Sequence, residues 1–157
     1  MARWSWAPGL LALVVVVVAT AASAPAAPSC APTFGDGFGP FGRGIPPVRA
    51  RFGAGGHVLT GMVVSALSCK PLARARVELW QAGKSGRYTR ATSATVFTDA
   101  RGRFRVEGPY PVAYEGTEPH MHLRVTAPVH RQLLYRVVPA RGAKRSSVRL
   151  VLEPEAL

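Results

Sequence analysis

Several common structural solutions are missing from this sequence. It holds only two cysteines, Cys30 and Cys69, and neither belongs to a CxxC or other zinc-type spacing. A zinc-finger-like site is therefore not expected. No internal repeat or heptad occurs, which removes solenoids and coiled coils. Beyond the N-terminal region no segment carries a convincing helical period. Acidic residues are scarce, with 8 Asp and Glu against 20 Lys and Arg, for a formal net charge of +12. Such a surplus suits anionic partners. The basic residues are nevertheless scattered, as at Arg74, Arg87, Arg101, Arg124 and Arg131. Only "RGAKRSSVR", Arg141 to Arg149, forms a cluster. No nucleic-acid motif accompanies the charge. The reading is a solvated, arginine-rich exterior without a nucleic-acid partner. Attraction of anionic aromatic acids is a side possibility.

Long hydrophobic runs are absent too, with one exception. Leu10 to Val18 is continuously apolar, follows Arg3, and precedes the small residues Ala19 to Ala24. A membrane-spanning helix needs about 20 apolar residues, so this run reads as a secretory signal peptide. Cleavage after Ala26 avoids a leading Pro25. The expected division is a signal peptide over 1–26, a Gly/Pro-rich arm over 27–56 and a folded domain over 57–157. The competing reading is an uncleaved anchor; after cleavage no stable membrane insertion is expected, and the protein is exported. Export makes Cys30 and Cys69 a disulfide candidate. Two unrelated thiols are the alternative.

From His57 onward the chain reads as short strands separated by turn signals. The candidates are "HVLTGMVVS", "ARVELWQA", "ATVFT", "RFRVE", "HMHLRVTA", "LLYRVV" and "SVRLVLE". In "ARVELWQA", Val77 and Leu79 fall on one face and Glu78 and Trp80 on the other. About seven strands without helices predict an all-β, single-domain β-sandwich.

One stretch, "GPYPVAYEGTEPHMH", carries chemistry. Residues two apart on a strand share a face, so His120 and His122 can aim both imidazoles at one point. A bare HxH is more often a pair of surface imidazoles, and a lone tyrosine more often packs in a sandwich with its hydroxyl bonded.

The order of elements is more specific. "KPLARARVELW", "GRY", "TDARGRF", "GPYP" and "HMH" follow one another collinearly between Val58 and Arg136. In this the sequence resembles the intradiol ring-cleavage dioxygenases, the family of catechol 1,2- and protocatechuate 3,4-dioxygenases. The resemblance implies a transthyretin-like sandwich core and a non-haem Fe(III) ion held by two tyrosinates and two histidines. By position, Tyr88, Tyr110, His120 and His122 are the implied metal ligands. Tyr110 is the displaceable one, and Tyr114 is second choice for that role. Phenolate is a hard anionic donor that suits a ferric ion, and imidazole suits iron as well. The implied reaction opens a catechol ring between its two hydroxyl-bearing carbons with O2. The partners are thus a catecholic small molecule and O2.

The sequence also departs from the family pattern. Where the family carries an arginine shortly before the first histidine, this chain reads Thr117, Glu118, Pro119. Arg136 is the candidate substitute for that charge, and turnover is expected to be slow. The other reading is a non-catalytic secreted sandwich of the transthyretin-like or carboxypeptidase-regulatory type. Such a module fits the early strands but does not require the later tyrosine and HxH set.

Overall fold

A computed structural model describes Met1, residues 30–36 and residues 44–156. The leader expected over 1–26 thus lies outside the described residues apart from Met1, as does part of the arm. Seven strands are present: β1 (His57–Ser65), β2 (Arg76–Ala82), β3 (Tyr88–Phe97), β4 (Arg103–Gly108), β5 (Met121–Thr126), β6 (Leu133–Val137) and β7 (Arg145–Leu152). They form a three-stranded sheet, β4-β1-β7, and a four-stranded sheet, β3-β2-β5-β6. All neighbours are antiparallel except β1 and β7. The all-β sandwich expected from the alternation is what the chain forms. The third strand is longer than "ATVFT" suggested, because its polar first half pairs with β2 at Tyr88 and Ala82.

Alternate residues of each strand meet between the sheets. Leu59 and Val63 of β1, Val77 and Leu79 of β2, Leu123 and Val125 of β5 and Leu150 of β7 share one buried cluster. Each is almost wholly removed from water, a burial worth about 1.5–3 kcal/mol per side chain. Phe52, which precedes the first strand, also enters this core. Its ring lies so close to Gly108 that a Cβ there would approach it to 2.3 Å.

The Gly/Pro-rich arm packs along both open sides of the sandwich. Pro47 and Arg49 exchange backbone hydrogen bonds with Thr95 on the β3 edge, and Ala50 and Phe52 do so with Glu107 on the β4 edge. On the opposite side Thr33 donates to the Val151 carbonyl and Asp36 to the Leu134 carbonyl. Edge strands left bare are templates for unwanted pairing, so the arm removes a hazard as well as tying the layers together. A Cys30–Cys69 disulfide, closing a separation of 39 residues, anchors the start of this arm beside the end of β1.

β2 is buried on both faces. Glu78 and Trp80 point away from the core, as the alternation requires, yet each is only 2% exposed. Arg76 and Arg124 hold the Glu78 carboxylate from two sides, and the Arg124 guanidinium lies over the Trp80 ring, 4.9 Å from its centroid.

Candidate metal centre

His122 sits opposite Trp80 of β2 and opposite Arg136 of β6. Directly opposed residues share a face, so His122 projects from the outer, non-core face of the four-stranded sheet. His120, two residues earlier, follows it. Both histidines are buried. Tyr88 opens β3 at the same end of the sheet.

The fourth member of the cluster comes from a turn. Tyr114, Glu115, Gly116 and Thr117 form a tight reversal in which the Thr117 N–H donates to the Tyr114 carbonyl at 2.8 Å. Glu115 and Gly116 have φ of 48° and 75°, the pair of positive values a type I′ turn demands. Glycine adopts this at no steric cost. The Thr117 hydroxyl donates to the same carbonyl at 2.6 Å. The turn thereby presents Tyr114 to the histidines.

Four donor atoms converge. His122 Nε2 lies 3.1 Å from Tyr88 Oη and 3.1 Å from His120 Nε2. His120 Nε2 is 3.4 Å from Tyr114 Oη and 3.5 Å from Tyr88 Oη. The two phenol oxygens are in direct hydrogen-bond contact. His120 Nδ1 lies 2.6 Å from the Glu118 carbonyl. A carbonyl can only accept, so Nδ1 carries the proton and Nε2 offers a lone pair to the cluster. Burial, and then the neighbouring His120, push His122 down to about 4. It is therefore neutral over the physiological range and also has a lone pair to offer. Burial, and then the hydrogen bond shared with Tyr114, raise the Tyr88 phenol above its ordinary range. A bound cation reverses that preference, since its charge stabilises phenolate.

The donor set fits a ferric ion: two hard phenol oxygens, two imidazole nitrogens and a backbone acceptor orienting one ring. Among the described residues no three His, Cys, Asp or Glu side chains group together. A metal held at this cluster would therefore depend on the tyrosines.

Tyr88, His120 and His122 come together as the sequence suggested, but Tyr110 is elsewhere. Its hydroxyl donates to the carbonyls of Ala140 at 3.1 Å and Pro139 at 3.3 Å. Its ring meets the edge of His57 at 5.7 Å. The physical reason is local. Tyr110 follows directly on β4 and stays with the three-stranded sheet, whereas Tyr114 has crossed toward the four-stranded one. The signal available in the sequence was "YEGT", a glycine-bearing turn six residues before His120. Arg136 is beside His122 but is committed to Asp36, with Nε 2.7 Å from Oδ2. Asp36 was not foreseen. It lies in the arm, where no periodicity points to a partner.

No protein-family profile matches the sequence, and no curated protein sequence matches it. Solved structures do match. The dioxygenase domain of a dioxygenase–carbohydrate-binding fusion from Streptomyces sp. SirexAA-E is 22% identical with a TM-score of 0.68, over 80% of this chain and 100% of that one. An intradiol ring-cleavage dioxygenase from Tetranychus urticae is 17% identical with a TM-score of 0.69, over 81% of this chain and 96% of that one. Catechol 1,2-dioxygenase from Pseudomonas arvilla C-1 is 19% identical with a TM-score of 0.59, over 74% of this chain and 60% of that longer one. In architecture the sandwich is thus that of solved intradiol dioxygenases.

Proposed function

We propose that this protein is an exported non-haem Fe(III) dioxygenase that opens a catechol-type ring between its two hydroxyl-bearing carbons. Tyr88, Tyr114, His120 and His122 hold the ion. The observation that carries this reading is the convergence of two phenol oxygens and two imidazole nitrogens at one point. The fold shared with solved intradiol dioxygenases supports it. The Cys30–Cys69 disulfide supports export, because such bonds persist in oxidising compartments.

When bound, the ion supplies Lewis-acid activation and a template for the catechol oxygens and O2. In the net reaction one ring C–C bond breaks, and both atoms of O2 end in the two carboxyl groups of a ring-opened diacid. The chain's residues have distinct parts. His122 is a neutral donor held on β5, and His120 stands just before that strand with its Nδ1 against the Glu118 carbonyl. Tyr88 is likewise fixed by β3. Tyr114 flanks a two-residue turn, so it would be the ligand able to yield its place. With the ion bound, its phenol oxygen would be a place for one of the protons that a binding catechol gives up. Arg136 faces the same region, but Asp36 shares its charge. Preorganised positive charge at such a position is commonly worth about 10²–10³ in rate, so with Arg136 ion-paired to Asp36 slow turnover is expected.

The test is iron content by elemental analysis, visible absorption from phenolate-to-iron charge transfer, and oxygen uptake with identification of the ring-opened product. Iron-loaded, coloured protein that consumes no oxygen with a broad panel of catechols would reduce the reading to an iron-binding sandwich. Protein that takes up no ferric ion would remove the reading altogether.

A further inference from the structure

The outer face of the three-stranded sheet differs from that of the four-stranded one. Register places Thr60 of β1 between Arg105 and Ser147, and Met62 between Arg103 and Arg149. In the next row Val58 lies between Glu107 and Arg145. Arginines therefore line both outer strands, and a row of small or apolar side chains lies between them. Arg103, Arg105, Arg145 and Arg149 are all exposed. They come from two sequence-distant strands, and Arg145 and Arg149 belong to the one basic cluster of the sequence. The scattered arginines are thus partly gathered by the fold.

Few anions oppose these charges. Arg105 pairs with Glu107 at 3.0 Å, and Arg51 approaches the same carboxylate at 3.6 Å. Asp99 at the rim is occupied with its own turn, accepting from the backbone N–H groups of Arg101 and Arg103. Among the described residues no carboxylate pairs with the side chains of Arg103, Arg145 or Arg149. Between the arginines runs an open groove of about 750 Å³, with Thr60, Met62 and Ser147 along it and Phe97 at its rim. Phe97 is 51% exposed.

We infer that this groove binds an acidic polysaccharide, a glycan chain bearing carboxylate or sulfate groups. The guanidinium fork matches either anion with two parallel hydrogen bonds. Alternate residues on one strand are about 6.7 Å apart and the two outer strands about 9.6 Å apart, so the cations form two rows that an extended chain of charges can follow. The Thr60 and Ser147 hydroxyls can exchange hydrogen bonds with sugar hydroxyls. Phe97 offers one ring for the apolar face of a pyranose. A single nucleic-acid strand calls for successive aromatic platforms, and this groove has one. The groove lies on the sheet opposite the tyrosine–histidine cluster, so the inference stands apart from the proposed dioxygenase activity.

The experiment measures binding of the purified protein to four polymers at physiological ionic strength: polygalacturonate, dextran sulfate, neutral dextran and poly(dT). Binding to one or both acidic polysaccharides, with none to neutral dextran, is expected. Stronger binding to polygalacturonate marks the carboxylate as the recognised group, and stronger binding to dextran sulfate marks the sulfate. R103A/R149A should weaken that binding about tenfold and flatten its salt dependence, as expected for lost charge-assisted contacts. K70A/K84A removes the same charge from exposed positions outside the groove and should leave binding within about twofold, since residual effects of net charge are screened. Equal weakening by both double variants would overturn the inference, because net charge alone would then account for binding. Tighter binding to poly(dT) than to either polysaccharide would overturn it as well. H122A should bind the polysaccharide as the unmodified protein does.

Discussion

The two sheets treat charge in opposite ways on their outer faces. On the four-stranded sheet Glu78, Trp80 and His122 are each 2% exposed, and the arginines beside them are paired, Arg76 and Arg124 with Glu78 and Arg136 with Asp36. On the three-stranded sheet Thr60, Arg103, Arg105, Ser147 and Arg149 stand in water. Both faces follow from the same strand alternation. The difference teaches that alternation sorts side chains into two faces but does not say which face is outside. A polar residue on the non-core face becomes a buried, oriented group only where other elements bring it a partner.

The strongest way to break this contrast is to strip the ordered face of its donors. H122A should lose bound iron, visible colour and oxygen uptake together while keeping the fold by circular dichroism. Retention of a coloured iron centre would rule out the assigned ligand set. The next effect concerns the arm that spans the two sheets. C30S/C69S releases the closure of 39 residues, and chain entropy predicts a loss of about 4 kcal/mol in urea denaturation. A change under about 1 kcal/mol would mean that the straps hold without it.

The two faces can then be compared by matched carboxylate removals. E78Q leaves Arg76 and Arg124 facing a buried amide. A fully buried pair broken this way costs about 3–5 kcal/mol. Because both arginines are partly exposed, at 33% and 29%, about 2 kcal/mol is expected after allowing for solvent screening. E107Q on the open face should stay within about 0.5 kcal/mol. Equal costs would erase the contrast. The smallest effects separate the tyrosines. Y110F removes a hydroxyl bonded to backbone carbonyls and should cost about 1 kcal/mol with the colour unchanged. Y114F should alter the colour with little change in stability. The reverse pattern would return the ligand role to Tyr110.

Much of this was legible without a structure. The strand segments, the polar first half of β3 apart, read correctly because apolar alternation is a local property, and Val77, Leu79, Leu123 and Val125 belong to the buried core. Tyr88, His120 and His122 were legible as a set, and they do converge. Tyr110 was the first choice and Tyr114 the second because motif spacing measures distance along the chain. Which of two tyrosines four residues apart meets the histidines depends on where the path crosses from one sheet to the other. The Glu115–Gly116 turn decides that. The arm read as structureless in period, yet it pairs with both sandwich edges, since edge pairing uses backbone groups that every residue carries.

By itself, then, the sequence determined the all-β class, the strand segments, the inward apolar rows and the chemical inventory of two histidines and several tyrosines within reach of each other. Those follow from period-two patterning and residue type, which are local. The tertiary structure decided which tyrosine joins the histidines, that Asp36 in the arm meets Arg136, that Glu78 is enclosed by two arginines, and that Arg103 and Arg105 share one face with Arg145 and Arg149. Each of these rests on register between strands far apart in sequence, and register is set by the packing of the whole sandwich.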